Sequence, residues 1–65
     1  MKTTEEKDDE LREAIGTFME SGDEISISII QRKFRTGYFL ASRVLESYLT
    51  NGYVVKDENG TNRIN

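Results

Sequence analysis

The sequence predicts a small α+β domain in which three helices are followed by a β-hairpin. Two stretches carry apolar residues at helical spacing, a shorter helical stretch lies between them, and residues 53–65 have the pattern of strand, turn and strand. A chain of 65 residues suffices for one domain with a single small core. We expect residues 9–65 to form that domain and residues 1–8 to be a disordered acidic lead-in.

The first predicted helix runs from about Asp9 to Ser21. Apolar residues recur in it at i, i+3, i+4, i+7 and i+8, namely Leu11, Ala14, Ile15, Phe18 and Met19. This is the spacing of one helical face. Acidic residues fill the first turn, where the helix dipole favours negative charge. Gly22 is the expected stop signal.

A short strand and a short helix are predicted next. Isoleucine alternates with serine at residues 25–27, as in an extended segment that pairs with another strand. Ser28 and Gln31 have the spacing of a capping box, so we expect a helix over Ser28–Phe34. The predicted turn is Arg35–Gly37, with Gly37 adopting backbone angles that are costly for other residues.

The third predicted helix begins at Gly37 or Tyr38 and ends at Asn51, before Gly52. Its apolar face consists of Tyr38, Ala41, Val44, Leu45, Tyr48 and Leu49. Phe39 points almost directly away from that face, and Leu40 lies at its border. A large apolar side chain is therefore expected on the exposed side of this helix.

The C-terminal segment predicts a hairpin with strands at residues 53–56 and 61–65. Asn59-Gly60 is a favourable pair for the tight turn between them. The strand at residues 25–27 is expected to pair with the hairpin and complete a three-stranded antiparallel sheet. Helix, strand, helix, helix and hairpin in this order make a winged helix-turn-helix.

Composition bounds the possible functions. The chain has no cysteine and no histidine, which removes thiolate chemistry, the most frequent general base and the most frequent zinc ligand. No carboxylate pair has a spacing that predicts a catalytic cleft. We therefore expect no enzyme activity, no metal and no cofactor. No apolar run has the length of a membrane span and no signal peptide is recognisable, so the expected location is the cytoplasm.

Charge is distributed unevenly along the chain. The net charge is −3, but residues 1–27 carry nine acidic and three basic residues whereas residues 28–65 carry six basic and three acidic ones. Such asymmetry is typical of a binding face on the basic half. Because dispersed charges also keep a small domain soluble, charge alone does not assign a partner.

The central segment of the chain resembles a known family. The sequence ISIIQRKFRTGYFLASR of residues 27–43 is similar to the pattern I-S-x-x-Q-R-x-F-x-x-G-Y-N-R-A-A-R of the gamma domain of FtsK/SpoIIIE-type bacterial DNA translocases. The matching residues are Ser28, Gln31, Arg32, Phe34, Gly37, Tyr38, Ala41 and Arg43, together with Gly52-Tyr53-Val54 after the third helix. The resemblance covers about residues 9–56.

This resemblance implies a winged-helix domain that binds duplex DNA. In the translocases the domain reads short G-rich sequences that orient the motor, and it also contacts a site-specific recombinase. Where the family has Asn-Arg after Gly-Tyr, this chain has Phe39-Leu40. We therefore expect altered sequence specificity. The 65 residues hold no motor, which leaves open whether the chain is free-standing or part of a longer translocase.

The predicted DNA-binding surface combines the second helix, the turn, the third helix and the hairpin. Its residues are Arg32, Lys33, Arg35, Thr36, Phe39, Ser42, Arg43, Lys56 and Arg63. With the third helix in the major groove, Arg43 is expected to contact guanine, while the other cations contact phosphates. If Phe39 is exposed, it is expected either to contact a thymine methyl group or to bind a protein. The alternative is that Phe39 packs back against the hairpin or the second helix, since the start of a helix is loosely placed by sequence.

The alternative function is a protein-interaction module. Phe39 and Leu40 replace the polar residues of the family pattern, and the N-terminal half is acidic. An exposed aromatic residue beside an arginine is a frequent interface anchor. A winged helix with these changes suits a protein partner, of which a second copy of the chain is the simplest.

Overall fold

The computed structural model describes residues 3–65 and contains, within them, three helices and a two-stranded antiparallel sheet. The elements are α1 (Thr4–Phe18), α2 (Ile27–Phe34), α3 (Tyr38–Thr50), β1 (Val54–Lys56) and β2 (Asn62–Ile64). The predicted order of helices and hairpin is confirmed, whereas the prediction of three strands is wrong.

Helix α1 begins and ends earlier than the apolar pattern predicts. The side chain of Thr3 caps it by accepting a hydrogen bond from the backbone N–H of Glu6 at 3.2 Å, which satisfies an otherwise unpaired donor. The helix therefore includes residues 4–8 of the segment predicted to be a disordered lead-in. The rest of that prediction, on Met1 and Lys2, lies outside the described residues. At the other end the helix stops at Phe18 rather than at Ser21.

Helix α2 is capped by Ser26, so the predicted capping box of Ser28 and Gln31 is wrong. The hydroxyl of Ser26 accepts a hydrogen bond from the N–H of Ile29 at 3.1 Å, and the backbone of Ser26 is extended. The helix accordingly begins at Ile27. Serine favours the cap position in either register, and the tertiary structure selects the earlier one.

Instead of a third strand, residues 22–25 form one bridge and several backbone hydrogen bonds with β2. Glu24 bridges Arg63, and the N–H of Ile25 donates to the carbonyl of Asn62 at 3.0 Å. The chain turns into α2 directly after Ser26, so too few extended residues remain for a ladder. In the hairpin itself, Val54, Val55 and Lys56 pair with Ile64, Arg63 and Asn62.

One hydrophobic core joins all three helices to the hairpin. Its buried members are Leu11, Ile15, Met19, Ile25, Ile30, Ala41, Val44, Leu45, Tyr48 and Val54. The phenol of Tyr48 donates a hydrogen bond to the carbonyl of Arg12 at 2.8 Å and so ties α3 to α1. Burial raises the pKa of Tyr48, which keeps this donor protonated.

Three aromatic or aliphatic residues assigned to apolar faces lie outside the core. Phe18, Tyr38 and Leu49 are 68%, 56% and 38% exposed. Phe18 is the last residue of α1 and lines an open depression with Phe34 and Lys33. Tyr38 is the first residue of α3. Residues at helix ends extend beyond the neighbouring helices, so helical spacing alone overestimates their burial.

Candidate nucleic-acid interface

The C-terminal half of α2 presents cations to solvent. Arg32 and Lys33 lie in its last turn, where positive charge interacts favourably with the helix dipole. Arg35 follows as the C-cap residue, and all three side chains are exposed. None of these cations forms an ion pair with another residue among 3–65. We call Arg32, Lys33 and Arg35 the basic end of α2.

The turn between α2 and α3 is built differently from its prediction. Arg35, not Gly37, occupies the left-handed region, with φ 52° and ψ 52°. The N–H groups of Arg35 and Thr36 both donate to the carbonyl of Gln31, at the end of the helix. Gly37 is extended, with φ −78° and ψ 166°, and precedes α3 without a side-chain cap. The left-handed backbone costs a non-glycine residue free energy, so Arg35 occupies a strained position in the centre of this surface.

The exposed face of α3 carries Phe39, Ser42 and Arg43. Phe39 is 77% exposed, so its predicted position on the outer side is confirmed. Leu40 is half-buried and packs against the core, as expected for a border residue. The rings of Tyr38 and Phe39 meet edge to face, with centroids 5.8 Å apart. The start of α3 therefore presents an apolar aromatic pair, whereas Ser42 is half-buried.

Arg43 is engaged by a carboxylate of α1. Its Nε donates to Asp8 Oδ2 at 3.3 Å and its Nη2 donates to Asp8 Oδ1 at 3.1 Å. The Asp8 side chain is 17% exposed and that of Arg43 is 47% exposed. The side chain predicted to read guanine is thus held in a two-point contact rather than free in solvent.

The hairpin cations differ from each other. Lys56 is exposed on β1. Arg63 on β2 donates from Nε to Asp57 Oδ2 at 2.7 Å and from Nη1 to the carbonyl of Gly22 at 3.0 Å. The hydrogen bond from Arg63, followed by that from the N–H of Thr61, lowers the pKa of Asp57. Arg63 therefore joins the hairpin to the residue 22–25 segment as well as carrying charge.

Asp57 also organises the hairpin turn. Its Oδ1 accepts the N–H groups of Asn59 and Thr61 at 2.8 and 3.0 Å. Gly60 completes the turn with φ 78°, in the region that favours glycine. The Asn59-Gly60 pair signalled this turn in the sequence, but the acceptor that holds it was not predicted.

Two residues were missed by sequence reasoning, Asp8 and Asp57. Asp57 has a local signal, because aspartate often accepts the N–H two residues on in a turn. Asp8 has none, since it lies 35 positions from Arg43 and was assigned to a lead-in. Only the packing of α1 against α3 brings that pair together.

Other kinds of site receive no support from the described residues. Among residues 3–65 no three or more acidic side chains are grouped to hold a metal ion. In the same part of the chain, no helix combines the length and the apolar character needed to cross a membrane.

The fold and the exposed cations together define a small α+β helical domain with a basic, aromatic surface. A family model described as the Ftsk gamma domain matches residues 5–64, nearly the whole chain. The protein belongs to this family, as the resemblance over residues 9–56 indicated. Searches of the curated proteins and of the solved structures found no significant match.

Proposed function

We propose that this domain is a winged helix that binds duplex DNA, with α3 in the major groove and the hairpin on the adjacent backbone. The observation that carries the proposal is the basic end of α2, where three exposed cations precede α3. Membership of the Ftsk gamma domain family supports the same function. A helix-turn-helix of this kind inserts its second helix into the groove while the first lies across the backbone.

The cations divide into two roles under this proposal. Arg32, Lys33 and Arg35 neutralise phosphates and supply affinity that depends on salt but not on sequence. Lys56, on the hairpin, adds a flanking phosphate contact, and Arg63 contributes charge there while it remains bonded to Asp57. Arg43, with Thr36 and Ser42 nearby in the chain, belongs to the base-reading part of the surface.

The sequence read by this chain is proposed to differ from the G-rich sites of the translocases. Phe39 replaces a polar residue of the family pattern and is exposed, whereas Leu40 replaces an arginine and packs against the core. Neither side chain offers a hydrogen bond to a base edge. Phe39 instead suits the methyl group of thymine, which is the apolar feature of the major groove.

We also propose that the domain binds DNA without catalysing a reaction. Its proposed location is the cytoplasm of a bacterium, where chromosomal DNA is accessible. The absence of histidine and cysteine from the sequence supports the first point. The resemblance to bacterial translocases supports the second.

The test is a titration of the 15N-labelled protein with two duplexes at low salt, one containing a G-rich octamer of the family type and the other a scrambled octamer. We expect amide shifts at residues 32–43 and in the hairpin with both duplexes, with no strong preference for the G-rich one. A strong preference for the G-rich duplex would contradict the altered specificity. No shifts with either duplex would overturn DNA binding.

A protein-interaction module is the second candidate, and a specific observation favours it. Tyr38 and Phe39 form an aromatic pair of which each ring is more than half exposed. Aromatic side chains of this kind anchor interfaces. The simplest partner is a second copy of the chain.

Sedimentation at several concentrations separates this candidate from DNA binding. If Phe39 mediates self-association, the wild type dimerises and Phe39→Ala stays monomeric. At concentrations where both proteins are monomeric their melting temperatures should be equal, because the ring contributes little to the core. Val55→Ala, which removes another exposed apolar side chain, is the matched control. If the wild type stays monomeric at millimolar concentration, a second copy of the chain is excluded as the partner.

A further inference from the structure

The contact between Asp8 and Arg43 leaves one edge of the guanidinium available. A guanidinium has five N–H donors in a plane. Asp8 takes the Nε–H and one Nη2–H. The other three donors make no hydrogen bond with residues 3–65. One Nη1–H and the second Nη2–H point the same way along the Nη1–Nη2 edge, which is not the edge bound by the carboxylate. A bidentate contact to guanine O6 and N7 needs two neighbouring donors, which this remaining edge supplies.

The position of Asp8 is set by the core. Leu11 and Ile15, on the same side of α1, are buried. One turn after Asp8, the carbonyl of Arg12 accepts the Tyr48 phenol, and Arg12 Nη1 lies 3.5 Å from the Ser47 hydroxyl oxygen. From the Asp8 contacts to the Arg12 contacts, the helices advance by four residues on α1 and by four or five on α3. Asp8 is therefore a fixed acceptor rather than a mobile surface carboxylate.

Fixing an arginine before it meets a base has a thermodynamic consequence. A free arginine loses much of its rotamer freedom when it forms a bidentate contact, and that entropy loss weakens the contact. An arginine already held in one plane by a carboxylate loses less. The carboxylate also offsets the positive charge, which lowers attraction to phosphates that carry no sequence information.

We propose that Asp8 is a positioning residue for Arg43, holding its guanidinium so that the Nη1–Nη2 edge reads a guanine. The inference rests on the proposed DNA binding and adds a specificity determinant from α1. Helix α1 then serves sequence discrimination, in addition to completing the core.

The experiment measures base preference and overall affinity separately. Wild type, Arg43→Ala, Asp8→Ala, Asp8→Asn and the double variant Asp8→Ala/Arg43→Ala are each used to select from a pool of duplexes with a randomised central octamer, and the bound fraction is sequenced. The position where Arg43→Ala loses preference for guanine is the position that Arg43 reads. Affinity for one scrambled duplex is measured in parallel. Glu13→Ala, which removes an exposed acid from the same helix, is the matched control.

We expect Asp8→Ala to reduce the preference for guanine at that one position by at least about fivefold, within the roughly 5- to 150-fold range of a bidentate contact. Affinity for the scrambled duplex is expected to stay constant or to rise. Glu13→Ala should keep the preference. The double variant should show no greater loss of preference than Arg43→Ala alone, since Asp8 acts through Arg43. If Asp8→Ala is too unstable to assay, Asp8→Asn replaces it, because it preserves the shape of the side chain. Asp8→Asn should then show the same loss of preference for guanine.

Other outcomes overturn the inference in distinguishable ways. If Asp8→Ala binds every duplex more tightly and keeps its preference for guanine, Asp8 masks Arg43 rather than positioning it. If the wild type binds DNA but Arg43→Ala changes the preference at no position, Arg43 does not read a base and the proposed DNA binding stands without this inference. If the wild type binds no duplex at low salt, the proposed function fails and this inference with it.

Discussion

The basic end of α2 and the arginines of α3 and β2 all carry positive charge, but they differ in their contacts with the rest of the protein. Arg32, Lys33 and Arg35 are exposed and have no ion-pair partner among residues 3–65. Arg43 donates two hydrogen bonds to Asp8. Arg63 donates one hydrogen bond to Asp57 and one to the carbonyl of Gly22. From the sequence, Arg63 is expected to contact phosphates like the three cations of α2, and only Arg43 is expected to contact a base. The contacts of the five cations show that the three of α2 are suited to attracting phosphates, whereas the other two are oriented by their neighbours.

The helix itself accounts for part of this difference. Arg32 and Lys33 lie in the last turn of α2, where the dipole stabilises positive charge without any acidic partner. Arg43 lies in the middle of α3, where no such field is available, and its partner comes from α1. The exposed cations can therefore remain free for a ligand at little cost to the fold.

The largest expected effect comes from removing the basic end of α2. The triple variant Arg32→Ala/Lys33→Ala/Arg35→Ala should bind any duplex roughly 10²- to 10³-fold more weakly at about 50 mM salt, with the slope of log K against log salt reduced by about 2 to 3. Fluorescence anisotropy over a salt series measures both quantities. Arg32→Lys/Arg35→Lys keeps the charge and should keep the slope. An unchanged slope in the triple alanine variant would show that DNA does not contact this surface.

Arg43 should behave differently from those three. Arg43→Lys keeps the charge but removes the planar donor pair, so it should lose about 1–3 kcal/mol of discrimination at one base pair while affinity for scrambled DNA changes little. Competition between duplexes that differ at that base pair measures the loss. If Arg43→Lys weakens binding to all sequences equally, Arg43 is a phosphate contact and the distinction between the two groups of cations disappears.

The strained backbone of Arg35 predicts opposite effects on stability and binding. Arg35→Gly should raise the free energy of unfolding by up to about 1 kcal/mol, because glycine adopts the left-handed region without steric cost. It should also lower the salt slope by about one unit. Urea unfolding and anisotropy measure these quantities.

Arg35→Ala is the control for that prediction, since alanine removes the charge but keeps the strain. It should lower the salt slope equally without the gain in stability. Equal stability of the glycine and alanine variants would show that the left-handed conformation at residue 35 costs the fold nothing.

The smallest expected effect concerns Asp57 and pH. Its hydrogen bond from Arg63 lowers the pKa of Asp57 below 3.8, the value of the unperturbed group. The ionised carboxylate is therefore favoured in the folded protein, so its stabilising contribution is fully present above pH 3.8 and is lost as the pH falls through the folded pKa. Arg63 stays charged throughout, since the same hydrogen bond raises its own pKa.

Thermal unfolding between about pH 6 and pH 2 tests this. The wild type should lose more stability than Asp57→Asn over the acid part of that range, and the hairpin amides should show the change first. If the stability of wild type and that of Asp57→Asn fall equally with decreasing pH, the Asp57–Arg63 pair does not stabilise the folded protein. Glu58→Gln, which changes an exposed carboxylate of the same turn, serves as the control for loss of one surface carboxylate.

Local sequence patterns predicted the three helices and the hairpin, but not the residues at which the helices begin and end. Leu11 and Ile15 form the buried face of α1 as predicted, and Met19 is buried directly after the helix, at its C-cap. The helix nevertheless starts at Thr4, because Thr3 supplies a cap that apolar periodicity does not detect. Likewise, Ser26 and Ser28 are both suitable caps for α2, and the structure has Ser26 in that position.

Local sequence is enough to predict three helices followed by a hairpin, the outward position of Phe39 and the family of the chain, since periodicity, turn residues and motif spacing are properties of neighbouring positions. Packing is needed to explain why residues 22–25 make a single bridge, why Arg35 takes the left-handed conformation, and why Asp8 holds Arg43. These features depend on how α1, α2 and β2 pack around one core, and such contacts join residues too distant in the chain for a local pattern to record.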